Sequence, residues 1–237
     1  MNQDFNTNVT PVSNTPANLK NRFIFGAIIL TVGGFIAKII GAFYKIPLTN
    51  ILGSTGMGIY YLVFPIYNLM LVFSSSGVSI AITRLIAEAR SNKNKRNETK
   101  YFIAGVLVSL ILSLLFSVFI FIFAKPLAYL QGNVLSYLGF LAITPAIISA
   151  SLVSIIRAYF QGIENMFPST VAIVFEQITK LIAGLILSFK LLPYGLEYAV
   201  MGSVLAVSIS ETLTLITPPA SSGHLRAPHG WCPAVPS

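Results

Sequence analysis

Charge is what this sequence has least of. Only 9% of its 237 residues are charged, against about 25% in soluble domains, whose surface faces water on every side. A chain this poor in charge solvates its outside only where that outside faces lipid. Cysteine occurs once, as Cys232, which excludes an internal disulfide framework. Asp4 is the only aspartate, and no histidine precedes His224. Acid–base or metal-assisted catalysis at a membrane surface draws on those residue types. The sequence therefore predicts no catalytic residues, no metal site and no enzyme. No cofactor is expected beyond a coupling ion of unspecified identity.

What is present is apolar. Hydrophobic residues make up 55% of the chain and mean hydropathy is +0.79. A bilayer core of about 30 Å needs roughly 20 apolar residues in a helix. Six spans meet that length: residues 23–44, 57–82, 101–124, 135–156, 170–189 and 198–216. The first is too long for the core of a signal peptide and reads as a retained helix. The fold class expected is thus an all-α integral membrane protein, a six-transmembrane-helix bundle. Residues 1–22, rich in Asn, Thr and Pro, read as a disordered cytoplasmic tail. Residues 23–216 form the transmembrane lobe.

The net charge of +8 follows membrane topology. Lys20 and Arg22 precede the first span. Arg84, Arg90, Lys93, Lys95, Arg96 and Lys100 lie around the second loop, and Arg157 in the fourth. The alternate loops hold Lys45, Lys125 and Lys190. Nine cations against three put the amino terminus in the cytoplasm of a multi-pass protein. Arg84, Lys93, Lys95 and Arg96 read as topology determinants that also meet anionic lipid headgroups. No basic stripe is interleaved with stacking aromatics, so nucleic acid is not an expected partner.

Some polar residues fall inside the spans. Pro65, Ser74-Ser75-Ser76-Gly77 and Pro145 weaken two helices, since proline removes a backbone hydrogen bond. Such irregularity at membrane depth needs shielding by protein or water, so Pro65, Gly77 and Pro145 are candidate hinges. Lys38, Glu176, Lys180 and Glu211 are intramembrane charges, which point to function by default. Glu176 and Lys180 are four apart and share one helix face. With Gln177 and Thr179 they form a polar band expected to face the bundle interior or a cavity. Lys38 is near enough to its helix end to snorkel, and Glu211 is the weakest candidate because it lies toward the end of its span. Gly53-Ser54-Thr55-Gly56-Met57-Gly58 lacks the lysine and preceding strand of a phosphate-binding loop and reads as a tight turn.

The composition shifts after Ile216. Both histidines, the only Trp, the only Cys and five of the thirteen prolines fall between Pro218 and Ser237. Residues 217–237 therefore read as a non-native or aberrant tail.

Three stretches carry a family resemblance. They are 37–48 (AKIIGAFYKIPL) with 51–53 and 56–60, then 76–88 (SGVSIAITRLIAE), then 157–162 (RAYFQG) with 165–166, 168–170 and 176–177. Together they resemble the MurJ-like and stage V sporulation protein B-like branch of the flippase superfamily that also holds the multidrug and toxin extruders. The resemblance implies one lobe of a two-lobe flippase of twelve to fourteen helices. Its implied cargo is a lipid-linked oligosaccharide such as a peptidoglycan or other cell-wall precursor, moved across the bacterial plasma membrane. Lys38 occupies the family's basic position late in the first helix, and Lys45 matches a second, offset by about one residue. Arg157, Gln161, Glu176 and Lys180 complete the implied cavity set. The paired arginines of the lipid II branch fall on Leu71 and Val72 here, which favours the sporulation-type branch. The partners implied are the cargo, anionic membrane lipid, and a missing second lobe or a homodimer partner. A cation-coupled multidrug exporter and a non-transporting fragment are the alternative readings.

Overall fold

The computed structural model describes residues 16–92 and 94–217, with side chains from residue 24 onward. Most of the expected amino-terminal tail, the headgroup candidate Lys93 and nearly all of the 217–237 tail lie outside the described residues. Among the described residues every regular element is helical: α1 (Pro16–Leu71), a π-turn (Val72–Ser76), α2 (Gly77–Ser91), α3 (Lys95–Leu130), α4 (Tyr137–Gly162), α5 (Met166–Leu191) and α6 (Leu196–Ile216). Short 3-10 turns at Val134–Ser136 and Leu192–Tyr194 lead into α4 and α6. This is an all-α membrane bundle.

Five helical stretches, not six, are long and apolar enough to cross a membrane, because the first runs unbroken in hydrogen bonding from Ile24 to Ser91. Straight, 68 residues would reach about 100 Å, over three times the bilayer core. One residue divides it. Gly53 alone leaves helical geometry, with φ 65° and ψ −175°, a left-handed value that favours a residue without Cβ. The six-residue turn expected at 53–58 thus shrinks to this one position. Lys45 and Tyr61, eight residues to either side, come together, with the Lys45 Nζ 5.4 Å from the ring centroid. The arms therefore fold back on each other as two crossings.

The other boundaries lie close to expectation. α3 starts where Asn94 Oδ1 accepts the Asn97 amide at 3.2 Å, an N-cap that begins the helix six residues before the apolar run. α4 and α6 are the most enclosed helices, and they pack on each other and on α3 and α5 respectively. The first arm of α1 lies along α5, where Gly184 leaves room for the buried Tyr44 ring. The main core joins Leu48, Leu52, Ile59 and Val63 of α1 to Phe140, Ile143 and Ile147 of α4 and Val200, Val204 and Val207 of α6. Outward lie Phe25, Phe35, Phe43, Ile111, Leu115, Phe121 and Phe189, the apolar exterior that lipid requires.

Neither Pro65 nor Pro145 interrupts its helix. Each deprives the carbonyl four residues earlier, that of Tyr61 or Leu141, of its amide donor. The adjacent carbonyl, three residues before each proline, accepts a hydrogen bond from another helix or its adjoining turn. Gln131 Nε2 donates to Leu62 O at 3.1 Å, and Ser208 Oγ to Ala142 O at 2.7 Å. The irregularity of the second span sits instead at the π-turn immediately before Gly77.

Candidate functional site: a buried ion-pair cluster and an open lysine face

Four ionisable side chains from three helices meet inside the bundle. Glu176 projects from α5 and is buried. Arg157, five residues before the end of α4, brings its Nη2 to 2.6 Å from Glu176 Oε2. Lys180, one turn along α5, approaches Oε1 at 3.4 Å. Gln177 Nε2 donates to the same Oε1 at 3.3 Å. The expected i,i+4 pair is therefore present, but it is the longer contact. The guanidinium from α4 makes the short, charge-assisted one.

Glu211 carries the least weight of the intramembrane charges by its position near a helix end, and the structure brings it into this cluster. It is buried on α6 and stands in the field of Glu176, Arg157 and Lys180. The buried Tyr67 of α1 faces the same charges. No spacing along the chain links positions 67, 157, 176 and 211. The only available signal was that an acid stands in an otherwise apolar helix. Beside the cluster, Arg157, Phe160, Pro168, Ser169, Ala172 and Thr214 line a cavity of about 20 Å³. That is room for about one water molecule.

The remaining cavity candidates lie elsewhere. Lys38 and Lys45 are exposed on the first arm of α1. Seven residues apart, they share a helix face with Gly34 and Gly41, the four positions falling within about 60° of arc. A Cβ at Gly34 would meet nothing within 4 Å, and one at Gly41 would meet only Gln177 Oε1, at 3.6 Å. Gln177 thus lies between the open face and the buried cluster. Gln161, one turn past Arg157, is half-buried and outside the ion-pair set. Of the hinge candidates, Pro65, Gly77 and Pro145 are all exposed.

Arg84, Lys95 and Arg96 are exposed at one end of the bundle. The start of α3 meets the end of α4 there, through the Tyr159 hydroxyl donating to Glu98 Oε1 at 2.9 Å.

A family profile described as "Polysaccharide biosynthesis protein" matches residues 24–217. The chain belongs to that family. Among curated proteins of Bacillus subtilis (strain 168), stage V sporulation protein B is 28% identical over 83% of this chain and 38% of its own length. The uncharacterized membrane protein YabM is 33% identical over 76% of this chain and 33% of its own length. The lipid II flippase MurJ is 24% identical over 73% and 34%. The chain thus spans about two fifths or less of these relatives. A solved structure titled as a MATE protein in the straight conformation superposes with a TM-score of 0.65, covering 90% of this chain and 47% of that one at 16% identity. This likeness places the fold of the polysaccharide biosynthesis family member in one half of that larger bundle.

Proposed function

We propose that this chain forms one lobe of a flippase that moves a lipid-linked glycan across the bacterial plasma membrane, with its amino terminus in the cytoplasm. The observation that carries the reading is the open face of α1. Two lysines stand seven residues apart on it, both exposed, with bare backbone at Gly34 between an apolar flank and the bundle. Charged side chains at membrane depth are costly against lipid and are kept where a cavity or partner receives them. A lipid-linked glycan carries an anionic pyrophosphate and a sugar. Lys38 and Lys45 supply charge for the first. Tyr61, whose ring lies under Lys45, supplies an aromatic wall for the second.

The second wall of that cavity comes from further sequence, as the length of the relatives suggests, or from a second copy of the chain. Anionic lipid meets Arg84, Lys95 and Arg96 at the cytoplasmic end. Transport rather than catalysis is the role. The rival reading, a cation-coupled drug exporter, requires an accessible acidic group to take the cation. Glu176 is already held by Arg157 and Lys180, and Glu211, which has no cation partner among the described residues, is enclosed away from the open face.

The test is binding of a fluorescent polyprenyl-pyrophosphate-linked sugar to the protein in nanodiscs. The K38A/K45A double variant is expected to weaken binding at least about tenfold, the scale of losing about 1.4 kcal/mol or more. The uncharged polyprenol should not compete. Unchanged affinity in the double variant removes the proposal.

A further inference from the structure

The cluster contains one unused donor and one unused acceptor, both buried. Arg157 Nε and Glu211 Oε2 have no hydrogen-bond partner among the described residues. A guanidinium offers five N–H donors in a planar fork, and the ion pair with Glu176 uses one nitrogen, Nη2. Buried polar groups are nearly always paired, and each exception asks for an explanation. Here one exception is a donor and the other an acceptor, and both lie in one cluster. The cavity that Arg157 lines is walled by Ser169 and Ala172 of α5 on one side and by Thr214 and Leu215 of α6 on the other. Thr214, which shares this cavity with Arg157, stands one helical turn past Glu211 on α6.

We propose that Arg157 has two alternative carboxylate partners, Glu176 on α5 and Glu211 on α6, and that exchange between them couples the position of α6 to that of α5. The structure captures the Glu176-paired arrangement. Lys180 makes the exchange feasible, because it remains 3.4 Å from Glu176 and keeps that carboxylate from being stranded when Arg157 leaves. α6 is otherwise tied to α4 by hydroxyl contacts, Ser149–Thr212 at 3.0 Å and Ser208 to Ala142 O at 2.7 Å. Contacts of that kind are weak enough in membrane bundles to break and re-form. A transporter needs an element with two discrete arrangements, and a cation shared between two helices provides one. Glu211 is on this account a positioning residue that acts through Arg157. The inference rests on the transport reading for its purpose, but its test involves no cargo.

The test is a double-mutant cycle on the purified protein in detergent, read as melting temperature. E211Q alone should leave the melting temperature unchanged, since Glu211 holds no cation in the observed arrangement. E176Q alone should lower it modestly, because Arg157 transfers to Glu211. In E176Q/E211Q neither partner remains, and the loss should exceed the sum of the single shifts. Within the E176Q background, E211D keeps a carboxylate and should retain most of the stability, whereas E211N should not. Additive shifts would mean a static cluster whose unused groups are served by a water molecule, and would overturn the proposal. So would equal behaviour of the E211D and E211N proteins, including failure of both to fold. Loss of cargo binding in K38A/K45A with an additive cycle would leave the flippase reading standing without the exchange. The reverse pattern would leave the exchange standing without that reading.

Discussion

On its α1–α3 side, α4 meets its neighbours through hydroxyls and backbone, whereas toward α5 it adds a full ion pair to the long contact of the Ser169 hydroxyl with Arg157 O, 3.4 Å. Ser151 Oγ lies 2.8 Å from Ser74 Oγ, Ser154 Oγ lies 2.7 Å from Ser79 Oγ, and Thr83 donates to Ala158 O at 3.2 Å. From α3, Ser109 reaches Ser151 O and Ser117 reaches Thr144 O. Gly105, Ser109, Ser113 and Ser117 recur every four residues as the buried face of α3. On the other side Arg157 alone makes the polar link to the acid of α5. Hydroxyls can always fall back on their own helix carbonyls, so each contact contributes only about 0.6 kcal/mol on average. A charge has no such fallback at membrane depth. The first seam holds helices together by many replaceable contacts. The second concentrates its energy in a few groups that depend on one another.

The π-turn belongs to the hydroxyl seam and explains its register. Ser74 and Ser79 are five residues apart, which in a regular α-helix would set them about 140° from one another. One extra residue in the turn brings them to within about 40°. Both then face α4, where Ser151 and Ser154 wait three residues apart.

The contrast predicts a graded series of effects. The largest belongs to the charged side. R157A leaves Glu176 and Glu211 buried with only Lys180 between them, and should cost about 3–5 kcal/mol, read as a large fall in melting temperature. A loss below that of a single serine variant would erase the distinction between the two seams. The middle effect is S74A, which removes the partner of the Ser151 hydroxyl and, since that hydroxyl can turn to its own helix carbonyl, should cost about 0.6 kcal/mol. S74A/S151A, which removes both partners, should cost less than the sum of the two single variants, as chemical denaturation of the three proteins would reveal. The smallest is deletion of Ser76. Removing the extra residue returns the turn to α-helix with both hydroxyl pairs still aligned, so the change should stay at or below that of S74A. A severe loss would show that the π-turn has a role beyond register.

Much of the fold was legible because lipid imposes a simple rule. Apolar runs of sufficient length marked α3, α4, α5 and α6 to within a few residues, except that α3 starts and ends six residues beyond its apolar run and α4 ends six residues beyond its own. The first two crossings were legible as spans but not as one long hydrogen-bonded helix. Gly53 carries the whole reversal, and its neighbours Ser54, Thr55 and Gly56 look as turn-like as it does. Pro65 drew attention as a break, yet its helix continues, with Gln131, distant in sequence, donating to a neighbouring carbonyl. Of the cluster, Glu176 and Lys180 were visible through their four-residue spacing. Arg157 was visible as a loop cation and, through the family resemblance, as a cavity residue; Glu211 was visible only as an acid near a helix end.

By itself the sequence determined that this is an all-α membrane bundle, where most of its crossings lie, and that its intramembrane charges are few. Those properties follow from hydropathy and backbone hydrogen bonding, which act along the chain. Only the tertiary structure decided which charges meet. Arg157 pairs with Glu176, 19 positions away on α5, and Glu211 joins the cluster from 54 positions away on α6; no local periodicity connects helices across such separations. It also decided that Lys38 and Lys45 stay on an open face while Glu176 and Glu211 are enclosed. That division depends on which side of each helix its neighbours cover, and packing alone sets it.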